Sequence, residues 1–219
     1  DLAVRLPDVR PDAEMGYQAC LNAFKASDET VLQEGNVGAG MGATVGKILG
    51  MKAAMKSGIG TASLKVGKGV VVGALVAVNA FGDVIDPESG EIVAGVRKLK
   101  QFADTRKVMR SFVGRTALKF AASNTVIGVV ATNAALNKEQ ATKMAQMAHN
   151  GLARAIRPAT TMLDGDTVFA LSCGKKELDI NILGTFAAEV YAQAILSGVR
   201  AAESLDGLPS ANDFRKSLE

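Results

Sequence analysis

The sequence predicts a mixed α/β fold in which helices and sheets are stacked in layers. Two apolar runs rich in β-branched residues, at 69–79 and 126–131, are typical of strands that are covered on both faces. Two longer segments, at 137–155 and 181–202, repeat apolar residues at helical spacing. Strands and helices therefore come in mixed order and every sheet needs cover, which favours stacked layers over a bundle or a barrel.

Composition argues against several classes of protein. The chain has 219 residues, of which 48% are apolar and 5% aromatic, as in one medium-sized domain. Cys20 and Cys173 lie far apart and form no metal or redox spacing, which favours a reduced, cytoplasmic setting. The net charge of +3 does not by itself imply nucleic acid, and no apolar run is long and charge-free enough for a membrane span. We expect a single domain over residues 1–219 with no metal, cofactor, nucleic-acid or membrane partner.

The first predicted helix runs from Asp12 to about Ala26. Asp12 can cap it, and the apolar residues Tyr17, Leu21 and Phe24 recur at helical spacing. The residues before it resemble the end of a strand followed by a loop, which suggests that earlier sequence is missing from this chain.

A glycine-rich segment at 35–47 matches nucleotide-binding loops only loosely. No Asp or Glu occurs at 36–82, so the acidic partner of a ribose is absent, and Ile48 stands where a phosphate-binding loop needs Ser or Thr. Closely approaching glycine backbone could instead deliver Lys47 to a dry site, where its ammonium would stabilise negative charge on an acyl oxygen. The alternative is a solvated surface lysine.

The segment at 97–119 is rich in Lys and Arg and contains one acidic residue, Asp104. A nucleic-acid surface is conceivable, but aromatic residues that could stack on bases are sparse, so a solvated linker is the favoured interpretation.

The junction between Asn124 and Thr125 is the point where this segment gives way to an apolar strand. A threonine that chain cleavage makes N-terminal carries its own base, because its free α-amine lies within reach of its hydroxyl. Asn124–Thr125 is therefore either a bond that the protein cuts itself or an ordinary turn from loop to strand.

The remaining elements follow from capping and periodicity. Asn137 and Gln140 form the sequence pattern of a capping box at the start of a helix. A short strand is predicted at 167–172 and a long helix at 181–202, and the polar tail after Asp206 is expected to fray.

An acidic pair, Asp164 and Asp166, precedes the strand at 167–172 with one glycine between them. Such a pair commonly caps a turn, but two carboxylates at a strand entrance can also hold and orient an amine. Asn79 ends a buried strand, where its amide NH2 could donate to an oxyanion or simply belong to a turn.

Taken together, these segments resemble the family of L-aminopeptidase/D-esterases, which includes β-peptidyl aminopeptidases and nylon-oligomer hydrolases. The resembling segments run in family order over nearly the whole chain: 10–17, 38–47, 58–63, 76–79, 124–133, 151–156 and 164–172.

The resemblance implies a four-layer αββα sandwich and autocatalytic cleavage into associated subunits, 1–124 and 125–219. Thr125 matches the N-terminal nucleophile and Asn124 the residue before the cut. Lys47 and Asn79 match residues that line the active site in the nylon-hydrolase branch, and Asp164 and Asp166 match the acidic pair near the new amine. Family members usually have a longer N-terminal portion, and many carry His where this chain has Thr160.

The implied activity is hydrolysis of a small peptide, β-peptide, nylon-type amide or ester through an acyl-enzyme, by a protein that forms a homo-oligomer. The main alternative is an acyltransferase similar to ornithine acetyltransferases, which look related in fold. A non-enzymatic module that binds a ligand through the glycine-rich loop is the third hypothesis.

Overall fold

The computed structural model of the chain describes residue 4 and residues 10–27, 31–118 and 124–217. The helices are α1 (Ala13–Lys25), α2 (Thr105–Arg110), α3 (Phe112–Ala117), α4 (Lys138–Ala155), α5 (Ile180–Arg200) and α6 (Ala211–Lys216). The strands are β1 (Thr44–Val45), β2 (Met55–Lys56), β3 (Ile59–Gly67), β4 (Val70–Asn79), β5 (Asp83–Ile85), β6 (Ile92–Ala94), β7 (Arg97–Lys98), β8 (Gln101–Phe102), β9 (Thr125–Ala134), β10 (Ile156–Arg157) and β11 (Thr167–Lys176).

The main sheet has four strands in the order β11-β9-β4-β3. β9 pairs parallel to β11 and antiparallel to β4, and β3 pairs antiparallel to β4. The strands predicted at 69–79, 126–131 and 167–172 are confirmed, although β9 and β11 extend further than expected. Because Asn79 lies opposite Thr125 in the register, the end of β4 and the start of β9 share one edge of the sheet.

Helices α4 and α5 form a layer on one face of this sheet. Alternate residues of β4 and β9 point into that interface and are buried, as the period of a strand requires. The α4 helix begins with the predicted capping box of Asn137 and Gln140. Glycines allow close packing: Gly60 on β3 faces Gly198 on α5, and Gly151 on α4 faces the backbone of Ala188.

The opposite face of the sheet is open within the described part of the chain. Ile127, Phe169 and Leu171 project from it with 44%, 55% and 51% of their surface exposed. The apolar runs predicted cover on both faces, whereas the described residues cover one. The αββα arrangement implied by the family resemblance would place a second sheet against this open face.

The basic segment at 97–118 is folded, contrary to the predicted solvated linker. It forms the β7–β8 hairpin and the helices α2 and α3. Buried Asp83 anchors it by accepting hydrogen bonds from the backbone N–H of Val96 and from the N–H and hydroxyl of Thr105. Burial raises the pKa of the Asp83 carboxyl, and these hydrogen bonds oppose that rise. The anchor consists of tertiary contacts, which local sequence pattern does not contain.

The tail after Asp206 also differs from its prediction. Ser210 caps α6, whose Ala211 and Phe214 are buried, and the Phe214 ring packs edge-on against Phe102. Helix α1 forms where predicted, with Asp12 as its cap, but none of its residues is buried.

Helix α5 is, among the described residues, the one helix long and apolar enough to cross a bilayer by length and composition. In the fold, 67% of that apolar window is buried inside the protein. It packs on β3, β4 and α4, as the central helix of a core does.

Two glycines in paired strands test the close packing of α5. A Cβ added at Gly60 would lie 2.2 Å from the Ala194 carbonyl oxygen and the Gly198 nitrogen, whereas one added at Gly73 would lie 3.6 Å from its nearest neighbour. We expect Gly60→Ala to lower the free energy of unfolding in urea by roughly 1–3 kcal/mol, because backbone must move. Gly73→Ala is the control and should leave stability unchanged or raise it by about 0.5–1 kcal/mol. Equal effects of both variants would contradict this packing.

Candidate active site

The predicted site residues come together where β4 ends and β9 begins. Thr125 is the first residue of β9 and lies opposite Asn79, the last residue of β4. Asn124 forms a parallel bridge to Asp164, which continues the β9–β11 register back beyond β11. Lys47 joins this group by donating from its Nζ to the Asn79 Oδ1 at 2.5 Å.

The carbonyl between Asn124 and Thr125 is held by two donors. The Thr125 hydroxyl donates to the Asn124 oxygen at 2.6 Å, and the Gly165 N–H donates to the same oxygen at 2.7 Å. The Asn124 N–H in turn donates to the Leu163 carbonyl at 2.8 Å. Asn124 is buried, whereas Gly165 is exposed, so the bond is fixed in position beside an opening to solvent.

Asp166 fixes the backbone on both sides of the site. Its Oδ1 accepts from the Val126 N–H and its Oδ2 from the Thr160 N–H, each at 2.9 Å. Burial raises the pKa of the Asp166 carboxyl, the two backbone donors lower it, and the charge of Asp164 raises it further. The chain thus places this carboxylate one residue beyond Thr125, where it can orient a nearby amine.

Asp164 is oriented by the loop that carries it. Its Oδ2 accepts from the Thr161 hydroxyl at 2.6 Å and from the Thr161 N–H at 3.2 Å, and its Oδ1 accepts from the Phe81 N–H at 3.4 Å. Thr161 was not singled out in the sequence, because a threonine in a turn carries no signal of its own.

The orientation of the Asn79 amide follows from its partners. Its Oδ1 accepts from the backbone N–H of Thr44 at 3.2 Å as well as from Lys47. Since a backbone N–H can only donate, the oxygen must face Thr44, and the amide NH2 of Asn79 is left to donate elsewhere.

Lys47 has an unusual environment for a lysine. Burial lowers the pKa of its ammonium from 10.5 to about 7, and the negative charge of Asp164 opposes that shift. Its own backbone is fixed, because the Lys47 N–H donates to the Phe81 carbonyl at 3.1 Å. A neutral amine is therefore well populated near neutral pH, which suits proton transfer.

Lys56 supports the site and was missed by the sequence analysis. It is fully buried on β2, and its ammonium donates to the backbone carbonyls of Gly40, Ala43 and Ser57. Burial lowers its pKa from 10.5 to about 8. It ties β2 to the glycine-rich loop that leads into Thr44 and Lys47. The sequence carries no clear signal for it, because Lys52 and Lys56 flank the apolar residues Ala53, Ala54 and Met55 alike.

Together these residues can support attack of a hydroxyl on a carbonyl. The site holds the Thr125 hydroxyl, a carbonyl with a backbone donor on its oxygen, an amine with a pKa near 7 and two oriented carboxylates. Among the described residues, no group of three or more His, Cys, Asp or Glu side chains is placed to hold a metal ion.

Comparison with protein families gives a match to the model of peptidase family S58 over residues 6–212. An uncharacterized aminopeptidase of Mycobacterium leprae is 39% identical over 96% of this chain and 61% of its own length. A 6-aminohexanoate-oligomer endohydrolase of a Kocuria species is 27% identical over 91% of this chain and 59% of its own length. The chain thus spans about three fifths of the length of these relatives.

Solved structures have the same fold. A protein of Pyrococcus horikoshii superposes with a TM-score of 0.60 at 27% identity and covers 92% of this chain and 55% of its own. A β-aminopeptidase of a Burkholderia species gives 0.54 at 25% identity, with coverages of 90% and 57%. The L-aminopeptidase D-Ala-esterase/amidase of Ochrobactrum anthropi, described as a variant of the Ntn hydrolase fold, gives 0.54 at 22%, with coverages of 85% and 51%. These similarities confirm the predicted fold class.

Lys56 should impose a pH dependence on stability. Its folded pKa of about 8 lies below that of an unfolded lysine, about 10.4, so between these pH values the unfolded chain binds more protons. The free energy of unfolding of the wild type, minus that of Lys56→Met, should therefore rise as pH increases from 8 to 10. Denaturant unfolding at several pH values measures it.

The matched control is Lys52→Met, at an exposed position four residues before Lys56, which should leave the pH dependence parallel to that of the wild type. A wild-type advantage over Lys56→Met that stays constant or falls over this range would contradict the assignment.

Proposed function

Because this chain belongs to peptidase family S58, we propose that it is a self-processing hydrolase that uses Thr125 as an N-terminal nucleophile on amide or ester bonds. The observation that carries the proposal concerns the Asn124 carbonyl oxygen. It accepts hydrogen bonds from the Thr125 hydroxyl and from the Gly165 N–H at the same time. The names of the relatives, an aminopeptidase and an oligomer endohydrolase, support an amide substrate.

The first stage cuts the chain into 1–124 and 125–219. The Thr125 oxygen attacks the Asn124 carbonyl carbon and loses its proton, and the Gly165 N–H stabilises the oxygen that becomes negative. The C–N bond then breaks as the amine takes up a proton, which leaves Asn124 esterified to the Thr125 oxygen. Water hydrolyses that ester, giving a carboxylate on Asn124 and a free α-amine on Thr125.

A base other than the Thr125 amine is needed for this stage, because that nitrogen is still an amide. Lys47 is the candidate, since it is neutral in part near pH 7 and its Nζ donates a hydrogen bond to Asn79, the residue opposite Thr125. Its ammonium form can afterwards return the proton to the departing amine.

The second stage is turnover of substrate. The α-amine of Thr125, with an ordinary pKa of about 7.7–8.0, takes the hydroxyl proton while the oxygen attacks the substrate carbonyl. Asp164 and Asp166 orient this amine, and the amide NH2 of Asn79 assists the oxyanion. An acyl-enzyme forms, the first product leaves, and water releases the acid.

The acyltransferase and ligand-module alternatives have weaker support. An acyltransferase would pass the acyl group to an amine rather than to water, and an assay of N-acetylornithine with glutamate as acceptor would detect it. The relatives compared above carry names of hydrolytic enzymes. The cytoplasmic location and the homo-oligomer stay predictions.

Removal of the nucleophile should abolish both stages. We expect Thr125→Ala to remain one uncut chain with no turnover, while Thr125→Ser, which keeps a hydroxyl, is cut. Loss of a catalytic nucleophile typically costs several orders of magnitude in rate. Intact mass and N-terminal sequencing, with a fragment that begins at Thr125 as the diagnostic product, measure the outcome. A cut or active Thr125→Ala protein would falsify the proposal.

The rate of self-cleavage should depend on the protonation of Lys47. Below its pKa of about 7 the amine is protonated, so we expect the rate to rise roughly tenfold per pH unit up to pH 7 and to level off above it. Lys47→Arg should stay uncut, because a guanidinium does not deprotonate in proteins.

Lys52→Arg, on the exposed surface of the same loop, is the control and should cleave like the wild type. Time courses of the precursor band at each pH supply the data. A rate independent of pH between 5.5 and 7.5 would exclude Lys47 as the base.

A further inference from the structure

Tyr191 on α5 has a buried hydroxyl that the proposed mechanism leaves unused. Its side chain is fully buried, and its hydroxyl has no hydrogen-bond partner among the residues that the structure describes. Buried hydroxyl groups of folded proteins are nearly always hydrogen-bonded, to protein atoms or to an enclosed water, because burial without a partner costs free energy. The hydroxyl of Tyr191 therefore needs a partner, and its surroundings limit what that partner is.

The hydroxyl lies against the main sheet at Gly128 of β9. A Cβ on residue 128 would lie 2.6 Å from the Tyr191 oxygen and 2.9 Å from its ring carbon Cε2. The tyrosine thus occupies the space that a side chain of β9 would otherwise fill. Glycine at this position lets a polar group, rather than an apolar side chain, lie between α5 and the strand.

Asp166 is the charged group on this part of the sheet. Its Oδ1 accepts the N–H of Val126, which precedes Gly128 by two residues and is buried on the same face of β9. By the same alternation Asp166 lies on the side of Val168, which packs against the core. Burial, and after it the negative charge of Asp166, raises the pKa of the Tyr191 hydroxyl, which therefore stays protonated and remains a donor.

The Asp166 carboxylate has capacity for further donors. An ionised carboxylate offers about four acceptor sites, and the described residues supply two backbone donors, the N–H groups of Val126 and Thr160. Two other ionisable side chains act on its charge, Asp164 from its own loop and His149 from α4. A donor from the α5 side would add a third direction of support.

We propose that one buried water bridges the Tyr191 hydroxyl and the Asp166 carboxylate, and that Tyr191 is thereby a positioning residue for turnover. The inference rests on the function proposed above, in which Asp166 orients the α-amine of Thr125. The hydroxyl donates to the water oxygen, and the water donates to the carboxylate, so the buried polar groups are satisfied. Asp166 is then held from the helix layer as well as from the backbone of the sheet.

The bridge matters for one stage of the mechanism. During self-cleavage the Thr125 nitrogen is still an amide, so Asp166 has no amine to orient. In turnover that nitrogen is the base, and its direction depends on a fixed carboxylate. Loss of the Tyr191 hydroxyl should therefore slow turnover and leave self-cleavage unaffected, whereas a general distortion at the start of β9 would slow both.

The first experiment compares the two tyrosines of the chain, buried Tyr191 and exposed Tyr17. Tyr191→Phe removes the hydroxyl and keeps the ring, and Tyr17→Phe is the matched control. We expect Tyr191→Phe to cut itself within about threefold of the wild-type rate. On alanine p-nitroanilide its kcat should fall about three- to tenfold, the value of one hydrogen bond, with KM within about twofold. Tyr17→Phe should match the wild type in all these measurements.

The second experiment tests the link to Asp166 without any need for activity. In a Thr125→Ala background, which the proposed mechanism leaves uncut, urea unfolding measures the equilibrium constant of one continuous chain. Tyr191→Phe should raise the unfolding constant about three- to tenfold, because the carboxylate loses its bridged donor. When Asp166→Asn has already removed the charge, the same change should raise it by less than about twofold, since the two effects are coupled.

The outcomes separate the bridge from the proposed function. A hydroxyl without a partner gives the opposite sign, because removal of an unsatisfied buried group stabilises a protein. A Tyr191→Phe protein at least as stable as its parent, or an equal loss of stability with and without Asp166→Asn, overturns the bridge. Turnover at the wild-type kcat, or equal slowing of both stages, overturns the positioning role. A wild-type chain that neither cuts itself nor releases p-nitroaniline overturns the proposed function and that role, and the urea result still decides the bridge.

Discussion

The site depends on the register of β9 between its two neighbours. Pairing with β4 sets Thr125 opposite Asn79, and pairing with the chain before β11 sets Asn124 beside Asp164. Side chains alternate between the faces of a sheet, so a slip of one residue in β9 would turn Thr125 toward the α4–α5 layer. The buried face of β9 against that layer, which includes Val126 and Val130, opposes such a slip. The same packing that stabilises the core therefore aligns Thr125, the proposed nucleophile.

Main-chain groups, more than side chains, hold the ionisable residues of the site. Asp166 is held by two N–H groups and Lys56 by three carbonyls. The backbone is already ordered by the fold, so partners of this kind fix a charge without the entropy loss of ordering a second long side chain. Burial lowers the pKa of Lys47, and the backbone partners of Asp166 keep its carboxylate in position. Groups held in place in this way are the preorganisation that electrostatic catalysis needs.

The sequence predicted the strands and the main helices because their periodicity and caps are local. It also gave the identities of Thr125, Lys47, Asn79, Asp164 and Asp166 as candidates, largely through the resemblance to a family. It could not predict Gly165 and Leu163 as partners, since the atoms involved are backbone atoms common to every residue. It misjudged 97–118 as a linker because the contact that orders it, between Asp83 and Thr105, joins residues far apart in the chain. Burial of Lys56 likewise depends on tertiary contacts, which include the carbonyls of Gly40 and Ala43.

The antiparallel pairing of β4 with β9 has a consequence for the refolding of the cleaved protein. β4 precedes the proposed cut and β9 follows it, yet they are adjacent at the centre of one sheet. After cleavage, the two pieces would share a single hydrophobic core that neither can rebuild alone. Unfolding would then release two molecules, so that recovery becomes second order and slows on dilution. Maturation would then be irreversible in practice. The continuous chain is needed to assemble the sheet, and the cleaved protein would stay folded because it unfolds slowly.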